Sequence, residues 1–355
     1  MTETIALIEV GGSHDECLLT QIHALKRHQC NILMICTQEI RERNPQFENY
    51  IDEFYILSFH GGKFRRYSEM RRSLVFMEER GVKRAVLNTA QGDLIRNLCI
   101  QASFSPIEFI GIIHTTRKLK GSFTQKVINR KVKKYLLLSK YLLSTVDPPK
   151  GTVLEYFYPI RFDGQDAEEI AHEGLNISII GGVENRRKDL DGFCAMLKGI
   201  PENVRFTFLG KSDPKNIDVQ QFKERLKELN MLGRVQLFDR FVDQEKFNEE
   251  LRKTDAILPL IHPNTPSADQ YFKNQIAGAM SVSFAYKIPM LLHQEYAQIE
   301  EMNAASLYYT LKNFAELVDN TEDALYGKKK EMEQHKPYNV KHQEDRFVQF
   351  VFGLE

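Results

Sequence analysis

The sequence predicts an α/β protein with two Rossmann-like domains in tandem, separated by an interdomain cleft. Short apolar runs alternate with segments of helical spacing, as in parallel sheets covered by helices. A polar, acidic stretch interrupts this alternation once, after which a second series of the same kind begins. The length of 355 residues also suits two domains rather than one.

The first series predicts a seven-stranded sheet. Its strands are expected at residues 5–10, 31–36, 54–58, 85–88, 108–113, 135–138 and 153–157. Between them, apolar stripes around Leu19, Leu74 and Leu98 repeat every three or four residues, which is typical of helices with one buried face. The ordinary right-handed crossover then gives a Rossmann-like layer sandwich.

The domain boundary is predicted where the apolar pattern stops, after Tyr158-Pro159. The predicted divisions are an N-terminal domain at 1–160, a linker at 161–174, a C-terminal domain at 175–335 and a final segment at 336–355. That final segment ends in the apolar residues Phe347 to Phe352. We expect it to return to the N-terminal domain, because such a terminus must dock on something.

The second series restarts after the linker. Strands are expected at residues 176–180, 204–209, 235–238, 256–260 and 288–292. Helices are expected around Phe193, Phe222 and Phe247, and from about 271 to 284.

Composition excludes several classes of protein. The chain is 42% hydrophobic and 27% charged, as in ordinary soluble proteins, and no apolar run approaches the ~20 residues of a membrane-spanning helix. Its five cysteines contain no Cys-x-x-Cys pair, so we expect reduced core residues and no metal site. A cytoplasmic protein is predicted.

The net charge of zero conceals two halves of opposite sign. Residues 1–160 hold 23 Lys and Arg against 16 Asp and Glu, and the remainder holds 25 against 32. No acidic residue lies between Glu108 and Asp147. The cations there that we assign to an acceptor or membrane side are Arg117, Lys118, Lys131, Lys133 and Lys134. They suit a phosphate-bearing acceptor or anionic lipid headgroups, although a solvated helix face is the usual explanation of such a run.

In open parallel sheets, ligands bind beyond the carboxyl ends of the strands, so the loops that follow strands are the candidate sites. Gly11-Gly12 follows the first strand and lets a phosphate approach the backbone, or simply makes a tight turn. His114 follows a buried strand and suits proton transfer or hydrogen bonding of a sugar hydroxyl; a purely structural histidine is the alternative. No Gly-x-Gly-x-x-Gly occurs at Gly11-Gly12, which disfavours an NAD-dependent oxidoreductase.

Two further loops belong to the second domain. Gly182 follows its first strand and precedes three cations, Arg186, Arg187 and Lys188, a pattern suited to a diphosphate. Lys211, at the end of the next predicted strand, joins this donor set. In the loop from His262 onwards, Ser267 and Asn274 could bind ribose or base and Lys273 could neutralise phosphate, or these residues merely form a loop.

The order of these features resembles the GT-B glycosyltransferases, particularly the retaining sugar-nucleotide group. The resemblance covers nearly the whole chain, from Gly11-Gly12 and His114 through Ile179-Ile180-Gly181-Gly182 to Ala277-Gly278-Ala279 and Lys287-Ile288-Pro289. It implies that the N-terminal domain takes the acceptor and the C-terminal domain the nucleotide sugar. It further implies that His114 lies near the transferring sugar and that Lys188, with one of the two preceding arginines, holds the diphosphate.

The implied activity is hexosyl transfer from a nucleoside-diphosphate sugar to a carbohydrate or lipid-linked acceptor in cell-surface glycan synthesis. Neither a metal nor a nucleic acid is required. One motif departs from the family, because its Glu-x7-Glu pair falls at Asn274 and Val282, and no carboxylate lies between Asp269 and Glu295. A catalytically weak GT-B-like protein that binds a glycan or supports a partner enzyme is therefore the alternative.

Overall fold

The computed structural model describes residues 2–354. They divide into two compact units, one made of residues 2–162 and 340–354 and the other of residues 163–339. Residues 163–174, predicted as a linker, contact the second unit: the Ile170 N–H donates to the Arg252 carbonyl at 2.8 Å, and the Asn248 amide donates to the Asp163 carbonyl at 2.8 Å.

The first unit is built on a seven-stranded sheet. Its strands are β1 (Thr4–Glu9), β2 (Asn31–Thr37), β3 (Glu53–Leu57), β4 (Arg84–Leu87), β5 (Glu108–Ile113), β6 (Lys134–Leu137) and β7 (Val153–Tyr156). Its first helices are α1 (Leu18–Arg27), α2 (Gln38–Arg43), α3 (Lys63–Glu79), α4 (Gly92–Gln101) and α5 (Phe123–Lys131). All strands pair in parallel in the order β3-β2-β1-β4-β5-β6-β7. All seven strand predictions are confirmed to within a residue or two.

The second unit repeats this architecture with six strands. They are β8 (Leu175–Ile180), β9 (Val204–Lys211), β10 (Val235–Phe238), β11 (Ala256–Ile257), β12 (Met290–His293) and β13 (Ser306–Tyr309). The helices are α6 (Leu190–Met196), α7 (Ile217–Glu228), α8 (Gln244–Leu251), α9 (Ala268–Lys273), α10 (Gly278–Tyr286), α11 (Phe314–Asp319) and α12 (Glu322–Gln334). The order is β10-β9-β8-β11-β12-β13, again parallel throughout.

The structure differs from the prediction at three elements of this unit. The strand expected at residues 256–260 contains only Ala256–Ile257. The single helix expected from about 271 to 284 is two helices, because α9 ends at Lys273 and α10 begins only at Gly278. Strand β13 was not predicted. Short 3-10 helices connect other elements at Asp15–Cys17, Pro45–Asn49, Thr116–Leu119, Tyr141–Thr145, Leu232–Arg234, Gln294–Gln298, Glu300–Ala305 and Lys336–Tyr338.

The last helix, α13 (Val340–Phe352), packs on α1 of the first unit. Its apolar face is buried, and the ring of Phe347 lies 5.4 Å from that of Phe157. The buried carboxylate of Glu344 pairs with Arg27 at 2.6 Å and Arg161 at 3.2 Å. Among residues 2–354, no helix is both long and apolar enough to cross a bilayer.

Candidate functional site

Three strands of the first sheet end side by side at its carboxyl edge. The register places Ile8 of β1 opposite Leu87 of β4, and Leu87 opposite Gly111 of β5. The strand order reverses between β1 and β4, which is where ligands bind in open α/β sheets. The loops at this point supply a cluster that we call the N-terminal site: Glu9, His14, Asn88, Thr89 and His114.

Glu9, the last residue of β1, is fully buried and links two of these loops. Its carboxylate accepts hydrogen bonds from the Gly11 N–H at 2.6 Å, the Asn88 amide at 2.7 Å and the Thr89 hydroxyl at 2.7 Å. Burial raises the pKa of Glu9, although these three donors act in the opposite direction. The carboxylate is thus a fixed acceptor between the ends of β1 and β4.

These contacts argue against a phosphate role for Gly11 and Gly12. The Gly11 N–H is used by Glu9, and the Gly12 carbonyl accepts from Arg43 at 3.0 Å. Asp15 and Glu16 follow after Ser13 and His14, and they form the first turn of a 3-10 helix. The loop therefore gathers carboxylates, which repel an anionic group.

His114 lies directly after β5, as predicted for a residue presented at the carboxyl edge, and is 6% exposed. Its Nε2 donates to the Asn88 carbonyl at 2.7 Å, since a carbonyl only accepts. Burial lowers the pKa of His114 to about 4, and nearby His14 acts in the same direction. At neutral pH the ring is therefore uncharged.

The predicted cations of the first unit divide between opposite edges of the sheet. Arg117 and Lys118 are exposed in the turn that follows His114, at the carboxyl edge. Lys131, Lys133 and Lys134 instead lie between the end of α5 and the start of β6, at the amino edge. The structure does not bring these three lysines together with His114, because α5 runs back along the sheet after β5.

The three lysines at the amino edge also have local partners. Lys131 donates to the Ser105 carbonyl at 2.8 Å, Lys133 donates to the Asn129 carbonyl at 2.8 Å, and Lys134 pairs with Glu108 at 2.8 Å.

The second unit offers the corresponding position between β8 and β11. After β8, the backbone of Gly181 and Gly182 passes so close to β9 that a Cβ on Gly182 would collide with the Lys211 carbonyl. A Cβ on Gly210 would collide with Gly181 in the same way. The glycine turn therefore holds two strand ends in direct contact. We call this turn, with Lys188 and the loop at residues 262–267, the C-terminal site.

Lys188 is the distinctive residue of the C-terminal site. It is 6% exposed, and its Nζ points at Gly181, where an added Cβ would lie 3.1 Å away. Within residues 2–354 its ammonium has no hydrogen bond or ion pair. Burial lowers the pKa of Lys188 to about 8, with Arg187 acting in the same direction and Glu184 opposing it. An unpaired buried cation is costly, so this position suits an anionic ligand.

The other cations predicted to bind the donor are exposed or paired with neighbouring carboxylates. Arg186 and Arg187 are exposed next to Lys188, and Arg187 pairs with Glu184 at 3.4 Å. Lys211 pairs with Asp213 at 3.2 Å, and its carbonyl is the group that Gly182 approaches.

The loop after β11 is joined to the Lys188 segment by a buried chain of hydrogen bonds. His262 Nδ1 contacts the Asp189 carboxylate at 2.8 Å, and its Nε2 contacts the Tyr309 hydroxyl at 2.6 Å. Burial acts to raise the pKa of Asp189, but the hydrogen bonds from His262 and from the Gly192 N–H hold it below its ordinary value. These hydrogen bonds therefore fix the backbone directly after Lys188.

The predicted residues at the two ends of α9 differ in burial and in hydrogen bonding. The Ser267 hydroxyl is buried without a hydrogen-bond partner among residues 2–354, whereas Lys273 is exposed and pairs with Asp269 at 2.8 Å. The Asn274 amide donates to the Asp269 carbonyl at 3.3 Å. A cleft of about 660 Å³ opens beside Lys188, between α6, α7 and Asn264 to Pro266.

Sequence reasoning missed Glu9, His14 and Asn88 in the first unit, and Asp189 and Tyr309 in the second. Each is a polar residue at or just beyond a strand end, or the cap of the following helix. That position was a usable signal for Glu9 and Asn88, because a polar residue ends each apolar run. The partners of each residue, however, depend on strand order and on loop geometry.

No known family and no curated protein matches this chain. Solved structures with the same fold do. The Anabaena protein HepE in complex with UDP has a TM-score of 0.70 at 9% identity, covering 100% of both chains. A glycosyltransferase from Rickettsia africae has a TM-score of 0.64 at 12% identity, covering 99% of this chain and 94% of its own. A protein described as a UDP-N-acetylglucosamine 2-epimerase from Listeria monocytogenes has a TM-score of 0.64 at 12% identity, covering 100% and 98%.

Proposed function

The chain has the fold of the GT-B proteins, with two Rossmann-like units in tandem, and on this basis we propose that it is a glycosyltransferase. It transfers a hexose from a nucleoside-diphosphate sugar to a carbohydrate or lipid-linked acceptor in the synthesis of a cell-surface glycan. The observation that carries this proposal is the buried, unpaired ammonium of Lys188 against the glycine turn after β8.

The chemistry of transfer explains why such a lysine matters. Negative charge develops on the leaving diphosphate, so a fixed cation that is excluded from water stabilises the transition state without a metal ion. Lys188 supplies that cation, Arg186 and Arg187 add exposed positive charge nearby, and the backbone at Gly182 allows close approach. Ser267 lies at the N-terminal end of α9 and Lys273 and Asn274 lie at its C-terminal end; in this proposal they contact the ribose, base or phosphate.

The solved relatives support a nucleoside-diphosphate sugar as the donor class. HepE has been crystallised with UDP, with UDP and glucose, and with UDP-glucose. At 9 to 12% identity the likeness extends only to the fold, and one fold hosts several reactions. The donor assignment for this chain therefore depends on the C-terminal site.

The N-terminal unit takes the acceptor in this proposal. His114 acts close to the transferring sugar, and the exposed Arg117 and Lys118 beside it suit an acceptor that carries phosphate or lies at an anionic membrane surface.

Calorimetry with UDP-glucose, UDP-N-acetylglucosamine, GDP-mannose and dTDP-glucose tests the donor site. We expect at least one to bind, and Lys188→Ala to weaken that binding by about 10- to 100-fold, as for loss of a charged hydrogen bond. Lys227→Ala, which removes an exposed lysine on α7, is the matched control and leaves affinity unchanged. Binding of none of these nucleotides, or equal affinity in Lys188→Ala, contradicts the proposal.

A binding protein with weak catalysis is the second candidate, favoured by Asn274 and Val282 at the positions of the missing carboxylates. Product analysis separates the two. A mixture of the best-binding donor with glycan acceptors gives a glycosylated product and free nucleoside diphosphate if the chain is a transferase. Binding without turnover favours the second candidate, and a donor sugar altered in configuration indicates epimerisation instead.

A further inference from the structure

The loop after β11 combines a strained backbone with a fully bonded, buried histidine. Leu260 is 1% exposed yet adopts a left-handed backbone conformation, at φ 56°, which is uncommon for a residue other than glycine. His262 is also 1% exposed, and both of its ring nitrogens are bonded, Nδ1 to Asp189 and Nε2 to Tyr309. Strain and buried polar groups of this kind concentrate at functional sites, so we asked what the arrangement holds in place.

A glycine in α6 makes room for the contact between His262 and Asp189. Gly192 is the third residue of this helix, where glycine lowers the helix propensity. A Cβ at this position would collide with the Asp189 carboxylate and with His262 Nδ1, whereas the Gly192 N–H donates to Asp189 at 2.8 Å. Helix propensity therefore does not explain Gly192, but the close approach of His262 to Asp189 does.

The contacts of Asp189 fix the segment that carries Lys188. The Lys188 N–H donates to the Glu184 carbonyl at 3.0 Å, and the Asp189 N–H donates to the carbonyl of the strained Leu260 at 2.9 Å. His262 holds the Asp189 side chain at 2.8 Å. Both the backbone and the side chain of the residue after Lys188 are thus tied to the loop after β11.

The ammonium of Lys188 depends on this support, because within residues 2–354 it has no hydrogen bond or ion pair of its own. We propose that His262 is the positioning residue of the C-terminal site: by holding the Asp189 carboxylate, it aims the Lys188 ammonium at the glycine turn, where an anionic ligand meets it. The inference rests on the proposed function only in taking that anion to be the diphosphate of a nucleotide sugar. His262 itself touches no ligand, because both of its nitrogens are bonded within the protein.

The two ring nitrogens of His262 serve different neighbours. The hydrogen bonds that Asp189 accepts hold its pKa below the ordinary value, so its carboxylate is ionised and His262 Nδ1–H is the donor. Nε2 faces the Tyr309 hydroxyl of β13. Nδ1 therefore supports the Lys188 segment and Nε2 supports the sheet, and a variant that keeps only one of these bonds separates positioning from general stability.

His262→Asn and His262→Gln are that matched pair. The asparagine amide lies about where Nδ1 lies and can donate to Asp189, whereas the glutamine amide reaches the place of Nε2 and bonds Tyr309. Each variant loses one buried hydrogen bond, so we expect similar losses of stability in urea unfolding. Only His262→Gln releases the Asp189 carboxylate.

Nuclear magnetic resonance of the lysine side chains in the full chain gives a readout that needs no nucleotide. Burial lowers the pKa of Lys188 to about 8, and the charged groups that act on it, Glu184 and Arg187, are unchanged in both variants. The Lys188 resonance is the one lost in Lys188→Ala. We expect His262→Gln to move its titration midpoint upward, towards the ordinary lysine value, because a loosened segment lets water reach the ammonium. We expect His262→Asn to leave the midpoint close to that of the unaltered chain, and any other order of the two variants overturns the inference.

Calorimetry with the nucleotide that the unaltered chain binds best tests whether affinity follows the same order. We expect His262→Gln to weaken binding by about tenfold and His262→Asn to retain it within about threefold. Equal affinity in the two variants overturns the inference and leaves the proposed function standing. If no nucleotide binds to the unaltered chain, the proposed function fails, and the Lys188 titration still decides whether His262 positions the ammonium.

Discussion

Lys188 is a buried cation without a paired anion, and burial destabilises its charged form. Its protonation is therefore coupled to ligand binding. Burial lowers its pKa to about 8, and a bound diphosphate must raise that pKa again. Above pH 8 the free protein has lost the proton that the complex requires, so binding takes one up. We predict that the affinity for the best-binding nucleotide falls by up to about tenfold per pH unit above pH 8 and is flat between pH 6.5 and 7.5.

Calorimetry at several pH values, repeated in buffers of different ionisation enthalpy, measures both affinity and proton uptake. In Lys188→Ala the uptake is expected to disappear. A proton uptake that persists in that variant would assign the effect to another group.

His114 presents the opposite case, a titratable ring that stays neutral. Its Nε2–H is held by the Asn88 carbonyl. In the proposed function, His114 orients a reacting sugar and does not bind the nucleotide. We predict that His114→Ala lowers kcat at least tenfold and leaves the dissociation constant of the nucleotide within about twofold, because a contact strongest in the transition state is lost from kcat. Steady-state kinetics with calorimetry of the nucleotide checks this split. Equal losses in both quantities would place His114 in general substrate binding.

At the scale of elements, the Asp189, His262 and Tyr309 chain joins the start of α6, the loop after β11 and strand β13. Tyr309→Phe removes one hydrogen bond and is expected to lower the free energy of unfolding by about 1 kcal/mol. His262→Ala leaves two buried groups unpaired and is expected to cost about 3 kcal/mol. Urea unfolding measures both free-energy changes. A smaller effect for His262→Ala than for Tyr309→Phe would contradict the hydrogen-bonded arrangement of Asp189, His262 and Tyr309.

The hydrogen bonds of Asp189 also make the stability of the fold depend on pH, and the direction of that dependence can be stated. The folded-state pKa of Asp189 lies below its ordinary value, so its ionised form contributes stability that is complete above the unfolded pKa of about 4. That contribution is lost as pH falls through the folded pKa. Tyr309→Phe, which leaves the His262 contact to Asp189 in place, is the control and should keep this acid dependence.

The positions of strands could be predicted from the sequence wherever the strand is buried on both faces of its sheet. Strands such as Asn31–Thr37 are continuous apolar runs, and their pattern has one interpretation. Strand Ser306–Tyr309 has only one aliphatic residue and lies at the edge of its sheet, so no such run marked it. The α9–α10 break was missed for the converse reason: apolar residues continue through Ile276 and Ala277 although the backbone leaves the helix there.

At the scale of the whole molecule, what could be predicted of the two sites depended on distance along the chain. Gly182 and Lys188 are six residues apart, and their proximity was readable from one loop. The contacts of Glu9 with Asn88 and of His14 with His114 bridge about 80 and 100 residues, and arise only because β1, β4 and β5 lie side by side. Conversely, Lys131 was grouped with His114 because it is near in sequence, whereas a helix carries it to the opposite edge of the sheet.

We propose that the basic N-terminal unit associates with a membrane. Because its two groups of cations lie at opposite edges of the sheet, the prediction can specify which edge meets the bilayer. At the carboxyl edge, Arg117 and Lys118 are exposed together with Lys120, and Phe123 beside them is 75% exposed, a combination suited to an anionic bilayer surface. At the amino edge, Lys131, Lys133 and Lys134 all have local partners. In the carboxyl-edge trio, Lys120 pairs with Asp147 at 3.4 Å, and both of these side chains are exposed.

Charge reversal of each trio to glutamate tests which edge meets the membrane, by sedimentation with vesicles containing about 30% phosphatidylserine. We expect reversal of Arg117, Lys118 and Lys120 to lower binding at least tenfold, since each cation near such a surface contributes about 1 kcal/mol. Reversal of Lys131, Lys133 and Lys134 adds the same charge at the other edge and should have a much smaller effect. Binding should also weaken as salt rises, because the screening length is only about 8 Å at 0.15 M. Equal losses for both trios would show that overall charge, not one edge, drives association, and binding insensitive to salt and to both reversals would exclude the membrane contact.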